Sequence, residues 1–545
     1  MKRNNLTNLP AEPDFVIAAQ FYREPHIALE ELKKDMARVK KLGLNTIKIQ
    51  EAWSYDEPVE GKFEFDIMDE LASSAADAGL NIFYTICLEV PAWAWKKFPN
   101  AHTINEANQR RNSYDAYGYT DGKPGPCWNH KGMRDAATRF MTEFIGHTGK
   151  HRNVVQWQAY QELNWLKQTS QCFCPECIKL FRKWLKKRYG SLETLESKWL
   201  IPSRSWDEIE PTRRRSGASY KDWWDFSREQ MISMLKWRAD TMRSADPFKR
   251  PISVNVSGPQ FADEWEWKLA DNADICGTSF YPAYFHTTPI PGVSKDTIPT
   301  AETQLPHDMW HTCLWFDYLR VATKGQPWAS EFQAGPPGSF LHHGNDPSPA
   351  DMSRWLLLTL SAGVKGISFW NHRPEYWAGE GHRYGIFDRT LEPTPKTEEI
   401  TAIANAIEKH GKLIKSAQPA GVEVAILVNE DNTRVMETKQ SNAAENSMQG
   451  LYRTLWDLGV HADFLASTDL ASGKIKEYKI AFMPFPIAMS DEYALMLKNF
   501  VEEGGILVSE ACPGRYSDRD TANLETGFAP QLDSVFGCRN ASIRM

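Results

Sequence analysis

What the sequence lacks already narrows its class. Among 545 residues no apolar run approaches the length of a membrane-spanning helix. The segment Met1–Phe15 has basic residues but no apolar stretch of the kind a secretory leader needs, so a cytoplasmic location is expected. Basic charge is not in excess: Lys+Arg is 63, Asp+Glu is 70, and the net charge is −7. Neither a nucleic-acid partner nor a membrane partner is therefore expected. Cysteine is sparse, with 9 residues, which excludes a disulfide scaffold and makes any tight cluster read as a metal site. No Gly-rich phosphate loop follows the first predicted strand, and no organic cofactor is expected. Aromatic residues, by contrast, are plentiful at 12%, with 21 Trp. Indole faces pack on the C–H faces of sugar rings, although they fill cores equally well.

Short β-rich runs alternate with amphipathic helical patterns. The runs are Phe15–Ala19, Asn45–Ile49, Asn81–Thr85, Val154–Gln158, Ile252–Val256, Ile275–Ser279, Trp328–Ser330 and Gly366–Trp370. Between the first two, Leu29, Leu32, Met36, Val39 and Leu42 recur at helical spacing and Gly43 closes the helix. Eight βα repeats predict a parallel sheet closed into a (β/α)8 TIM barrel; an open doubly wound sheet is the competing arrangement. The barrel is expected to fill residues 1–415. A second α/β block, 416–545, begins with the strand pattern Val422–Leu427 and ends in an irregular tail. It resembles a flavodoxin-like or amidotransferase-like domain and is read as structural, serving oligomerisation.

In such a barrel, polar residues at the C-terminal ends of strands form the site. Glu162 ends the fourth strand and Glu331 the seventh. Strands four and seven face each other across a closed ring of eight, so the two carboxylates can share one pocket. Either glutamate alone is as easily a salt-bridged surface residue. Together they supply what glycoside hydrolysis needs: one acid to protonate the leaving oxygen and one carboxylate to attack the anomeric carbon or activate water. Trp370 ends the eighth strand, where a stacking platform is expected. Trp53, Trp93, Trp95, Trp165 and Trp377 lie near other strand ends and fit a core role equally well. Cys172-x-Cys174-x-x-Cys177 places three soft ligands within six residues, a spacing suited to Zn²⁺ with a fourth ligand supplied from elsewhere. Cys87, Cys276, Cys313 and Cys538 are isolated and expected to be buried packing residues.

Several segments, in order, resemble glycoside hydrolase family 42, the β-galactosidases. They are Gln20–Pro25, Asp35-Met36, Glu51–Phe65, Cys172–Cys177 with Phe181–Leu185, Gly379–His382, and the second α/β block, which is similar to that family's trimerisation domain. The resemblance implies a retaining hydrolase of terminal β-D-galactosides, with Glu162 as acid/base and Glu331 as nucleophile. It implies sugar contacts from Lys123, Gln161, Tyr281, Glu380 and His382, and Cys127 as the fourth ligand of a structural zinc in a loop insertion around 127–177. It also implies a homotrimer. Three positions depart from the family pattern. Gln161 stands where the family has Asn, Lys123 where it has Arg, and Ser339-Phe340 where it has a sugar-contacting Trp. These changes leave open a different glycan, such as an α-L-arabinopyranoside, a galactan or a modified galactoside. A non-catalytic sugar-binding relative is the remaining alternative.

Overall fold

The computed structural model describes residues 13–21, 27–111, 125–165, 170–282, 309–339, 342–343, 346–374, 381, 383–439, 441–523 and 527–538. Eight parallel strands close into a barrel: β1 (Val16–Phe21), β2 (Thr46–Ala52), β3 (Asn81–Cys87), β4 (Val154–Tyr160), β5 (Ile252–Val256), β6 (Ile275–Phe280), β7 (Pro327–Gln333) and β8 (Gly366–Trp370). Each strand pairs with its sequence neighbours, and β1 pairs with β8 to shut the ring. The competing open sheet is thereby excluded.

Alternation along the strands explains the architecture. Ile17, Ala19 and Phe21 of β1, Ile47 and Ile49 of β2, Ile82, Tyr84 and Ile86 of β3, and Ile252, Val254 and Val256 of β5 all join one continuous apolar core with the surrounding helices. The intervening residues are buried as well, yet many are polar: Gln20, Lys48, Thr85, Gln158, Asn255, Ser279 and Ser368. A strand's side chains alternate between faces, so this second set lines the barrel interior. Glycine provides room there. A Cβ on Gly277 would lie 1.9 Å from Ser330 Oγ, and one on Gly366 would lie 2.6 Å from the Trp328 ring.

The helices follow amphipathic rules. In Leu29–Lys41 the buried apolar residues are Leu32, Met36 and Val39, at spacings of four and three, and the chain turns at Gly43 with φ +88°. Helix Pro349–Ser361 starts with a capping box on Ser348 and proline in its first turn.

After helix Pro395–Ser416, four more parallel strands form a second sheet: β9 (Val424–Leu427), β10 (Asp463–Leu465), β11 (Ile480–Met483) and β12 (Ile506–Ser509), in the order β10-β9-β11-β12. Polar contacts tie this sheet's surroundings to the barrel helices. Arg228 reaches Asp263 at 2.6 Å and Glu430 at 3.2 Å, and Arg320 reaches Asp463 at 2.7 Å. Among the described residues no helix is long and apolar enough to cross a membrane.

Candidate active site

Glu162 lies two residues beyond β4 with a left-handed φ of 51°, a conformation that costs a non-glycine residue energy and that clusters at functional sites. Its backbone N–H donates to Asn255 Oδ1 at 2.9 Å, which fixes the turn against β5. Glu331 sits on β7, beside Ser279 in the β6–β7 register, and is buried. The Ser279 hydroxyl lies 2.9 Å from Glu162 Oε1 and 3.3 Å from Glu331 Oε2. One hydroxyl thus reaches an oxygen of each carboxylate, an arrangement compatible with the about 5–5.5 Å between carboxyls of retaining glycosidases.

Donors converge on Glu331. Tyr281 Oη donates to Oε2 at 2.7 Å, and the Gln161 amide donates to Oε1. The Gln161 carbonyl in turn accepts from Gln158 Nε2 and from Lys48 Nζ, the latter at 3.3 Å. The amide orientation is thus set from behind: two donors claim its oxygen, so its NH₂ faces the carboxylate. Lys48 is fully buried. Burial pulls its ammonium down to about 8, against the opposing pull of Glu331, Cys87 and Glu162.

Trp370 is buried in a small aromatic cluster with Tyr281 and Tyr384, next to Glu331. One residue further, Asn371 leads to His372, which stacks on Phe21 with ring centroids 4.0 Å apart and meets Asp35 at 3.0 Å. Burial would raise the Asp35 carboxyl, but the hydrogen bond and charge of His372, together with Arg373, hold it at about 2. Of the sequence-predicted site residues, Glu162, Glu331, Gln161, Tyr281 and Trp370 therefore come together. Lys123, Glu380 and His382 lie outside the described residues, as does Trp377. Trp53 and Trp165 are core residues, while Trp95 stacks on His102. Lys48, Gln158, Asn255 and Ser279 went unflagged in the sequence. Their signal was polarity at alternate positions of otherwise apolar strands.

Cys127, Cys172, Cys174 and Cys177 gather so that all four sulfurs lie within 4.8 Å of one another, with Cys127 Sγ 3.4 Å from Cys177 Sγ and 3.5 Å from Cys174 Sγ. Four thiolates around one tetrahedral ion at about 2.3 Å stand about 3.8 Å apart, so the cluster could hold a metal ion. The hydrogen bond from Cys127 favours the Cys172 thiolate and holds it well below the ordinary thiol range. A cleft runs from Glu162 past Tyr160, Trp128 and Arg134 to Cys127, Cys172 and Cys177. Cys87, Cys276 and Cys313 are buried as expected. Cys538 is exposed, contrary to expectation, because it follows the last short helix, Asp533–Phe536, none of whose residues is buried.

Comparison with known proteins agrees with this geometry. The family model for β-galactosidases of the Glyco_hydro_42 type matches residues 21–410, and the model for the β-galactosidase trimerisation domain matches 422–545. A β-galactosidase of Geobacillus kaustophilus is 24% identical over 524 residues, covering 92% of this chain and 72% of the relative. A β-galactosidase of a Thermus species is 26% identical over 505 residues, covering 89% and 74%. Among solved structures, the β-galactosidase of Halorubrum lacusprofundi superposes with a TM-score of 0.81 at 18% identity, covering 95% of this chain and 76% of that one. That of the psychrophilic Marinomonas ef1 gives 0.78 at 20% identity, covering 95% and 79%. A closed barrel with two carboxylates at one hydroxyl, and a family match across most of its length, identify the chain as a glycosidase that belongs to glycoside hydrolase family 42, the β-galactosidase family.

Proposed function

We propose that Glu331 is the nucleophile and Glu162 the general acid/base of a retaining hydrolase acting on terminal β-D-galactosides or sugars of the same ring stereochemistry. The observation that carries this reading is that the Ser279 hydroxyl lies within hydrogen-bond reach of both carboxylates. In the first step Glu162 gives its proton to the glycosidic oxygen while Glu331 bonds the anomeric carbon and the glycosidic bond breaks. In the second, Glu162 takes a proton from water, the water oxygen bonds the anomeric carbon, and Glu331 leaves as carboxylate. Tyr281 and Gln161 hold Glu331 in place, and Trp370 offers an aromatic wall beside it. Lys123, Gln161, Tyr281, Trp370, Glu380 and His382 are the proposed sugar contacts.

Gln161 supports a second reading of the sugar. Its side chain is one methylene longer than the family's Asn and is bonded to the nucleophile, so the contact to the sugar 2-hydroxyl is rebuilt. α-L-Arabinopyranosides and modified galactosides are the alternatives this favours.

The chain is proposed to divide near residue 415 into a catalytic barrel and a trimerisation domain, to form a homotrimer, and to work in the cytoplasm. The thiolate chemistry of the four cysteines favours a structural zinc held by Cys127, Cys172, Cys174 and Cys177. With no open ligand position, it would fix the flanking loops and supply no chemistry.

The test is trapping with a 2-deoxy-2-fluoro-β-galactoside followed by peptide mass spectrometry. The label is expected on Glu331, and a label on any other residue overturns the assignment. Glu331→Gln should lower aryl-galactoside turnover by at least about 10³-fold, on the scale of losing a reaction's nucleophile.

A further inference from the structure

The cleft that opens from Glu162 has no part in the mechanism above. Glu162 is among its lining residues, and Glu331 is not. The acid/base protonates the leaving oxygen while the nucleophile bonds the anomeric carbon. The leaving group therefore lies on the Glu162 side of the breaking bond, and a cleft reached from Glu162 alone is where it extends. Part of the wall is apolar. Met231 and Met234, three residues apart on helix Gly217–Ala245, and Trp128 offer a surface on which a ring can pack.

The polar lining is mostly committed to the protein. Asn164 donates to Ser257 Oγ at 2.6 Å and accepts from the Ser257 N–H at 2.9 Å. Ser227 donates to the Trp223 carbonyl at 2.7 Å, and Asn129 donates to Cys177 Sγ at 3.3 Å. Arg134 and Gln230 also line the cleft, and among the described residues neither side chain has a hydrogen bond or an ion pair. Arg134, near the start of helix Lys131–Thr148, holds its guanidinium 4.6 Å from the centre of the Trp237 ring. That contact takes up none of its five N–H donors as hydrogen bonds. Burial draws this arginine below its usual range, and the charge opposing that is Asp135, itself bound to Lys131 at 2.5 Å. The cleft's other arginine, Arg111, differs, because the charges of Cys172 and Glu106 act on it. Arg134 is left as a half-buried cation that no carboxylate among the described residues meets.

We infer that the cleft binds a leaving group carrying an anionic oxygen group, a carboxylate or a sulfate ester, through Arg134, with Gln230 as a further donor. A guanidinium suits both, since its planar fork offers two parallel N–H donors to two oxygens of one group. The substrates indicated are acidic saccharides in which a terminal galactose-like sugar is joined to a charged unit. Glu162 is no obstacle, because it is protonated, and so neutral, when the leaving group is bound for attack. The inference rests on the reading of Glu162 as acid/base and adds to it the leaving groups that the site prefers.

The experiment measures kcat/KM of the full chain and its variants on matched aryl β-galactosides. One pair is 4-carboxyphenyl against 4-carbamoylphenyl; the other is 4-sulfophenyl against 4-sulfamoylphenyl, the sulfonate standing in for a sulfate ester. Each pair differs in charge at nearly constant shape. The charged-to-neutral ratio within one protein cancels whatever a substitution does to the barrel, and comparing ratios between proteins cancels leaving-group reactivity. Arg134→Gln should lower the ratio by about 5–10-fold in at least one pair, the worth of a charge-assisted hydrogen bond at a half-buried site. The pair that responds tells carboxylate from sulfate. Arg134→Lys, which keeps a point charge without the fork, should retain part of the preference. Gln230→Glu sets a negative charge on the same cleft and should also lower the ratio, so the test survives if Arg134→Gln fails to fold. A ratio unchanged in both pairs, in either Arg134→Gln or Gln230→Glu, overturns the inference. Turnover surviving in Glu331→Gln is a different failure, that of the carboxylate pair itself.

Discussion

Lys48 lies in a strand whose neighbours Ile47 and Ile49 belong to the apolar core, and its buried ammonium meets the Gln161 carbonyl at 3.3 Å, with no ion pair to a carboxylate among the described residues. It acts one residue removed: Nζ holds the Gln161 carbonyl at 3.3 Å, and the Gln161 amide holds Glu331. Replacing Lys48 by Met keeps the length but removes one of the two donors that hold the amide oxygen away from the nucleophile, leaving Gln158 alone to orient it. Lys48→Met should therefore lower kcat/KM by about 10–100-fold, the worth of a charge-assisted hydrogen bond. The far-ultraviolet circular dichroism spectrum should be unchanged; native kinetics in a folded Lys48→Met enzyme would discard this role. The site residues show what was legible at this scale. Glu162 and Glu331 were readable because a carboxylate at a strand end is conspicuous. Lys48, Asn255 and Ser279 were not, because a polar residue in an apolar run reads as a blemish until the strand's inward face is known.

Elements were more legible than residues. Parallel strands covered by helices are buried on both faces and read as short apolar runs, and each run found in the sequence falls on a barrel strand. The difference lies in β7, which continues to Gln333 and so keeps Glu331 within the strand rather than at its end. β10, with three residues, and helix Glu430–Thr438 were too short or too polar to declare themselves. The cysteine cluster joins elements far apart in sequence: Cys127 precedes helix Lys131–Thr148, while Cys172 and Cys174 lead into helix Pro175–Tyr189 and Cys177 lies in its first turn. Because the cleft beside it also contains Glu162, fixing these loops bears on the acid/base. Elemental analysis of the purified protein should give about one zinc per chain. Cys174→Ser should lower that content and the melting temperature together, since metal binding and folding of such loops are coupled. Full zinc content in Cys174→Ser would remove Cys174 from the ligand set.

At the scale of the whole molecule, the second sheet and its helices meet the barrel through a junction that is ionic and largely buried. Helix Trp265–Ala270 carries Glu266 and follows Glu264; both are buried beside Arg228, Asp263 and Glu430. Glu264 accepts from Ser467 across the junction, and Trp267 donates to Asp469 at 2.9 Å. Burial pushes the carboxyls of Glu264 and Glu266 up to about 8, with Glu430 adding to the effect on Glu264. The sign follows from proton linkage. A carboxyl raised from 4.5 to about 8 in the folded chain binds its proton more tightly there than in the unfolded chain. Its contribution to stability is therefore full below pH 4.5 and is lost as the pH rises through about 8. Glu266 accepts from the Gln260 N–H at 2.8 Å, an interaction a glutamine oxygen can keep. Glu266→Gln removes the titration without removing the acceptor. Native and variant protein should melt alike near pH 4.5, and the variant should gain about 1.4 kcal/mol for each pH unit towards 8. Thermal unfolding of both proteins from pH 4.5 to 9 reads this directly. Parallel curves across that range would mean that Glu266 is ionised in the native junction and paired with Arg228, and that the alkaline limit of the fold is set elsewhere.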